Sequence, residues 1–145
     1  MKMGNFIGVT GLALCVILCG VGSCIGLFKT GSAAAGVLGE KPKLFGKVML
    51  LVLLPATQGI YGFVLGVIAS GSIGALTVAE GWRLLGCCLP LTIVGFVSAI
   101  FQGKCSVSCI YTVAKEDSLS GKLLLFPAMI EFYAILSLVI SIMII

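Results

Sequence analysis

Four long stretches of the chain hold no charged residue, or only one. They run from Met3 to Phe28, Val48 to Ala79, Leu84 to Gly103 and Leu123 to Ile145, the last interrupted by Glu131 alone. Each reaches the roughly 20 residues that a helix needs to cross the hydrocarbon core of a bilayer. Polar residues gather in the connections. Gly39-Glu40-Lys41-Pro42-Lys43 supplies the glycine and proline that end a helix, and Lys115-Glu116-Asp117-Ser118 ends on a serine suited to cap the next one. The pattern predicts helices over 4–37, 44–76, 80–114 and 119–145. The first and third are longer than a bilayer core requires and are expected to project into the cytoplasm.

Composition fixes the class. With 60% hydrophobic and 10% charged residues, and a mean hydropathy of +1.28, the chain cannot furnish the polar surface of a soluble domain. An all-α integral membrane protein follows. Little chain is left for a soluble domain, so catalysis on a soluble substrate would fall to a partner. Lys29, Lys41, Lys43 and Lys47 flank the first connection and Lys104, Lys115 and Lys122 flank the third, against Lys2 and Arg83 on the other side. The lysine-rich side is read as cytoplasmic, with both termini extracytoplasmic. The net charge of +4 reflects this topology and carries no nucleic-acid signal.

The seven cysteines (Cys15, Cys19, Cys24, Cys87, Cys88, Cys105 and Cys109) lie inside or at the ends of apolar stretches, and the chain has no histidine to complete a mixed zinc site. They read as small apolar residues at helix contacts. Val21-Gly22-Ser23-Cys24, after Lys2 and an apolar run, imitates a lipoprotein signal. Cleavage there would destroy a helix that has a counterpart later in the chain, which argues against it.

That counterpart belongs to an internal duplication. A shift of 75 residues superposes Gly20 on Gly95, Ser23 on Ser98, Ile25 on Ile100, Lys29 on Lys104 and Gly46-Lys47 on Gly121-Lys122. After a three-residue deletion, Pro55-Ala56 falls on Pro127-Ala128 and Tyr61 on Tyr133. Two helical hairpins in the same orientation are expected, over residues 1–76 and 77–145, within one membrane domain. Gly4, Gly8, Gly11, Cys15, Cys19, Gly22 and Gly26 make a continuous stripe of small residues on the first helix. Cys88, Thr92, Gly95, Ala99, Ser106 and Cys109 make another on the third, with Gln102 on it. In lipid such stripes let backbones approach closely, and they imply tight, oligomeric packing.

Glu131 sits about three residues from the middle of the last span, where an unpaired carboxylate costs roughly 2.5–3.5 kcal/mol on insertion scales. Acids at that depth face a protein interior and handle an ion or a proton. Thr57, Gln58 and Tyr61 share one face of the second helix, next to Pro55, whose missing N–H leaves nearby carbonyls without helical donors. Singly, each has a plain packing explanation. Together with Gln102 they offer carboxylate, amide, hydroxyl and carbonyl oxygens at membrane depth, a set suited to a hard cation. The duplication aligns Glu131 with Gly59, so only one repeat keeps an acid at this position and a four-helix unit is expected to carry one ion. By charge counting, Gln102 falls near the cytoplasmic interface, two residues from Lys104, whereas Glu131 falls closer to mid-bilayer.

In the duplicated hairpins, in Leu54-Pro55-Ala56-Thr57-Gln58-Gly59-Ile60-Tyr61-Gly62, in Phe101-Gln102-Gly103-Lys104 and in Pro127-Ala128-Met129-Ile130-Glu131, the chain resembles, over its full length, the proteolipid of V-type and A/V-type rotary ATPases. The resemblance implies a homo-oligomeric rotor ring in a bacterial plasma membrane. A soluble ATPase head would drive it through central-stalk subunits at the cytoplasmic loops, against a membrane stator that supplies an essential arginine. It implies Glu131 as the essential carboxylate, with Thr57, Gln58, Gln102 and the Leu54 carbonyl as accompanying sodium ligands and Tyr61 orienting Glu131. No organic cofactor is implied.

A lone carboxylate in an apolar setting favours a proton, whereas four further oxygen donors favour a dehydrated metal ion, so Na+ is the expected cargo and H+ the alternative. A small four-span exporter that exchanges protons for an organic cation would also use a membrane glutamate. The duplication and the single acid on the last helix count against it. A purely structural pore would leave Glu131 without a role.

Overall fold

The computed structural model describes residues 3–145, and Lys2, counted above on the lysine-poor side, lies outside them. Helix α1 spans Met3–Glu40, α2 Phe45–Leu53, α3 Thr57–Ser70, α4 Val78–Lys115, α5 Ser120–Leu123 and α6 Leu125–Ile144. Short 3-10 turns at Pro42–Leu44, Leu54–Ala56 and Asp117–Leu119 join them, and no strand occurs among the described residues. Four units are long and apolar enough to span a membrane: Met3–Glu40, Pro42–Ser70, Val78–Lys115 and Asp117–Ile144. The expected all-α architecture of two tandem hairpins is the observed one.

α1 and α4, 38 residues each and so about 57 Å long at 1.5 Å per residue, run parallel and in contact, as two copies of one hairpin in the same orientation must. Their glycines set the spacing. A Cβ added at Gly11 would lie 2.7 Å from Leu85 Cα, at Gly22 2.7 Å from the Phe96 carbonyl oxygen, and at Gly103 2.7 Å from Gly26 Cα. Backbone meets backbone along the pair, the close approach that small residues permit in lipid. α3 packs against α1, and α6 against α4.

Two apolar clusters divide the interior. Ala33, Val37, Val48, Leu51, Ile110 and Val113 fill the lysine-rich end. Leu12, Cys15, Cys19, Leu65, Cys88 and Leu91 fill the other. The cysteines are free, and five of them are buried, as small apolar residues at helix contacts should be. Among the described residues no group of histidine, cysteine or acidic side chains is placed to hold a metal.

The second span ends at Ser70, six residues earlier than the hydropathy pattern predicts. Gly71, Ser72 and Gly74 are uncharged, so they prolong the apolar run without favouring helix. The turn is closed from both sides. The Leu76 N–H donates to Asn5 Oδ1 at 2.9 Å. Thr77 forms a reciprocal capping box with Glu80, which starts α4 two residues before its predicted position.

Candidate ion-binding site

Between the two apolar clusters lies a layer of hydrogen-bonded polar groups, placed there by the breaks in the second and fourth spans. Pro55 and Pro127 occupy equivalent positions in the two hairpins, and neither can donate a backbone hydrogen bond. At Pro55 the helix tightens into the 3-10 turn Leu54–Ala56. The fourth span breaks at Leu124, between α5 and α6 and three residues before Pro127.

The Leu54 carbonyl, expected to be freed by Pro55, is instead bonded twice. It accepts from the Thr57 N–H, which closes the 3-10 turn, and from the Thr57 hydroxyl at 2.9 Å. Thr57 Oγ1 also lies 3.4 Å from Gln58 Oε1. A hydroxyl has one proton. With that proton on the Leu54 carbonyl, Thr57 Oγ1 and Gln58 Oε1 meet as two oxygens with no hydrogen between them.

Gln58 and Gln102 are both fully buried. Gln58 Nε2 donates to Gln102 Oε1 at 2.7 Å, across α3 and α4. Gln102 Nε2 then donates to the Pro127 carbonyl at 3.0 Å and to Glu131 Oε2 at 3.3 Å. Tyr61 closes the chain by donating its hydroxyl to Glu131 Oε1 at 2.5 Å. Every residue singled out in the sequence therefore joins one connected network, from Leu54 through Thr57, Gln58 and Gln102 to Glu131 and Tyr61. Glu131 itself is half-buried, at the margin of α6.

Gln102 is level with Glu131 and not displaced toward the lysine-rich interface. Charge counting separates the two because it takes the depth of Gln102 from the nearest cation, Lys104. Its Nζ stands over the ring of its neighbour Phe101, 5.1 Å from the centroid, and can sit there with its stem along apolar surface.

Two supporting groups escaped the sequence analysis. Ser23 Oγ on α1 accepts the Gly59 N–H at 2.8 Å, satisfying one of the donors left unpaired in the first turn of α3. Thr30 on α1 is fully buried and donates to the Val52 carbonyl at 3.0 Å, beside the 3-10 turn. Ser23 had a signal in its alignment with Ser98; Thr30 had none.

Residues 10–69 and again 85–144 match the family of the ATP synthase C subunit. The chain belongs to that family. The two matched segments coincide with the two hairpins, so one chain of the family here carries two copies of the fold. Among characterised members it is 40% identical over 139 residues to the V-type sodium ATPase subunit K of Enterococcus hirae, covering 95% of this chain and 89% of that one. It is 34% identical over 137 residues to the A-type ATP synthase subunit K of Methanocaldococcus jannaschii, covering 94% of this chain and 60% of the relative.

Proposed function

We propose that this protein is the rotor proteolipid of a V-type or A-type rotary ATPase, and that each copy carries one Na+ on Glu131. The observation that carries the reading is the oxygen set drawn together around the buried amides. Glu131 Oε2, Gln102 Oε1, Gln58 Oε1, Thr57 Oγ1 and the Leu54 carbonyl are linked in one network across three helices. The Gln102 amide oxygen accepts one hydrogen bond and keeps a lone pair for a ligand, whereas the Leu54 carbonyl, which accepts two, ligates only when the Thr57 hydroxyl turns away from it. The approach of Thr57 Oγ1 to Gln58 Oε1, 3.4 Å apart, suits a cation better than a proton, since a proton on Glu131 would do nothing for those two oxygens. The name of the Enterococcus hirae relative, a sodium ATPase subunit, points the same way.

The chemistry follows from charge. A bare Glu131 carboxylate against lipid is costly, whereas one neutralised by a bound cation is tolerated, so a loaded copy passes through the bilayer and an empty one is held beside a stator. Tyr61 and Gln102 hold the two carboxylate oxygens in fixed positions while the ion exchanges. The chain does no catalysis of its own on this reading. ATP is turned over on partner subunits, identical copies close into a ring, central-stalk subunits bear on the loops around Lys41 and Asp117, and a stator arginine displaces the ion. The hairpins 1–76 and 77–145 act as one membrane unit in a bacterial plasma membrane, with both termini extracytoplasmic.

A hydrophobic carbodiimide tests site and ion together. It attacks the protonated acid, so Na+ should slow labelling of Glu131, more strongly as pH rises, and Gln102→Ala or Thr57→Ala should weaken that protection. Labelling that ignores Na+ from neutral to alkaline pH would turn the reading to a proton rotor.

A further inference from the structure

The duplication relates the two hairpins in sequence, and the fold shows how they dock. Hairpin 1 presents one face to hairpin 2, and hairpin 2 receives it on another. The copy of the first face on hairpin 2, and the copy of the second on hairpin 1, are left bare. The 75-residue shift identifies them. Gly22 and Gly26, which meet Phe96, Ala99 and Gly103 inside the chain, correspond to Val97 and Phe101. Phe96, Ala99 and Gly103 correspond to Val21, Cys24 and Phe28. These bare positions are apolar and open: Phe28 is 75% exposed and Phe101 53%.

Resting on the reading that copies form a ring, we infer that Val97 and Phe101 of one copy dock on Val21, Cys24 and Phe28 of the next, by the step that joins the two hairpins but with wider spacing. The contact is head-to-tail, one face meeting a different one, as a closed ring needs. The spacing follows from what replaces the glycines. Within the chain Gly26 faces Gly103 so closely that a Cβ on Gly103 would come within 2.7 Å of Gly26 Cα. Between copies the same two positions are Phe101 and Phe28, and two phenyl rings cannot fit where two hydrogens do. The long helices of the ring therefore alternate between glycine-tight pairs within a copy and phenylalanine-wedged pairs between copies.

The flanking helices give the same pairing independently. Tyr61 of hairpin 1 donates to Glu131 of hairpin 2. The 72-residue register of the second and fourth spans carries this pair to Tyr133 and Gly59. Tyr133 is 65% exposed, and it would lie against the next copy's Gly59, where the carboxylate is missing. The lysine-rich loops repeat the contrast. Lys47 pairs with Asp117 at 2.7 Å within the chain, but their counterparts Lys122 and Pro42 cannot pair between copies.

Cross-linking in the full chain tests this. In a variant whose only cysteines are native Cys24 and the product of Val97→Cys, the pair corresponds to Ala99 and Gly22, where an ideal Gly22 Cβ lies 3.3 Å from Ala99 Cβ. At that spacing two cysteines would be close to the roughly 3.5–4.5 Å Cβ separation of a disulfide. A membrane-permeant bifunctional thiol reagent should give a ladder of multiples of the chain mass. Oxidation alone should give little ladder, and adding Phe28→Gly and Phe101→Gly should raise it at least several-fold. Either cysteine alone should give none. Rings of full mass in detergent that yield no ladder with the bifunctional reagent, or a ladder from a single cysteine, would overturn the pairing while the ring stands. Efficient direct oxidation with both phenylalanines present would overturn the wedge. A small oligomer in place of a ring would remove the functional reading and this inference together.

Discussion

Tyr61 on α3 donates its hydroxyl to Glu131 on α6 at 2.5 Å, so the one acid of the last span, in hairpin 2, is held by hairpin 1. The site is shared between the repeats and neither hairpin holds it alone. A hydrogen bond to a charged group contributes about 1.5–3 kcal/mol. Tyr61→Phe should therefore weaken Na+ protection of Glu131 against carbodiimide about tenfold or more, with the ring still assembled. Equal protection in the variant would mean that the phenol is a bystander.

Glu131→Gln keeps the shape of the side chain and removes its exchangeable charge. Rings should assemble at the wild-type mass while ion-coupled ATPase activity is lost. Coupled transport at the wild-type rate in reconstituted vesicles would end the assignment of Glu131.

Gly26 is enclosed on two sides, because a Cβ there would meet Pro55 Cβ at 2.6 Å and the Ala99 carbonyl oxygen at 2.7 Å. Gly26→Val should cost at least the roughly 1–3 kcal/mol of an overpacked core, read as a lower temperature of dissociation or unfolding in detergent. Gly31, with no neighbouring atom within 4 Å of its ideal Cβ, is the control, and Gly31→Ala should be neutral or slightly stabilising. Equal heat resistance of the two variants would show that the glycine contacts do not set the spacing of α1 and α4.

The lysines around the first and third connections are expected to hold those loops in the cytoplasm. Single cysteines from Lys41→Cys or Asp117→Cys, with native cysteines removed, should react with an impermeant thiol reagent from the cytoplasmic side only. Both positions are exposed, so silence from that side would not be a matter of burial. Reaction from the outside would invert the topology.

The ion pair of Lys47 with Asp117 is solvent-exposed on both sides, 44% and 56%. Asp117→Asn should therefore leave thermal unfolding almost unchanged, and more nearly so at high salt. A larger loss in thermal unfolding would mean that the loops hold the hairpins together more firmly than their exposure suggests.

The spans and the duplication were legible because lipid imposes long uncharged runs and because Gly20/Gly95, Ser23/Ser98 and Pro55/Pro127 keep register. The members of the polar network were legible too, since Glu131, Gln102 and Gln58 are polar where polarity is expensive. Three things were not. The end of the second span at Ser70 is set by Asn5 and by the Thr77–Glu80 box, groups distant from it in the hydropathy pattern. The level of Gln102 with Glu131 is set by how α4 and α6 pack, which the positions of the lysines do not report. The state of the Leu54 carbonyl depends on which acceptor the Thr57 proton takes, a choice of rotamer that a proline in the sequence does not specify.

The two hairpins are fastened at both ends. At the lysine-rich end, Lys41 Nζ donates to the Ala114 carbonyl at 2.5 Å and Lys47 to Asp117; at the other, Gly81 packs directly on the backbone of Gly4. Between them the backbones of α1 and α4 lie in direct contact. A force applied to either connection is thus borne by both hairpins in parallel, and their bending stiffnesses add. The long helices of one copy thus bend together or not at all, so the compliance of an assembly of such units would reside chiefly at the joints between copies.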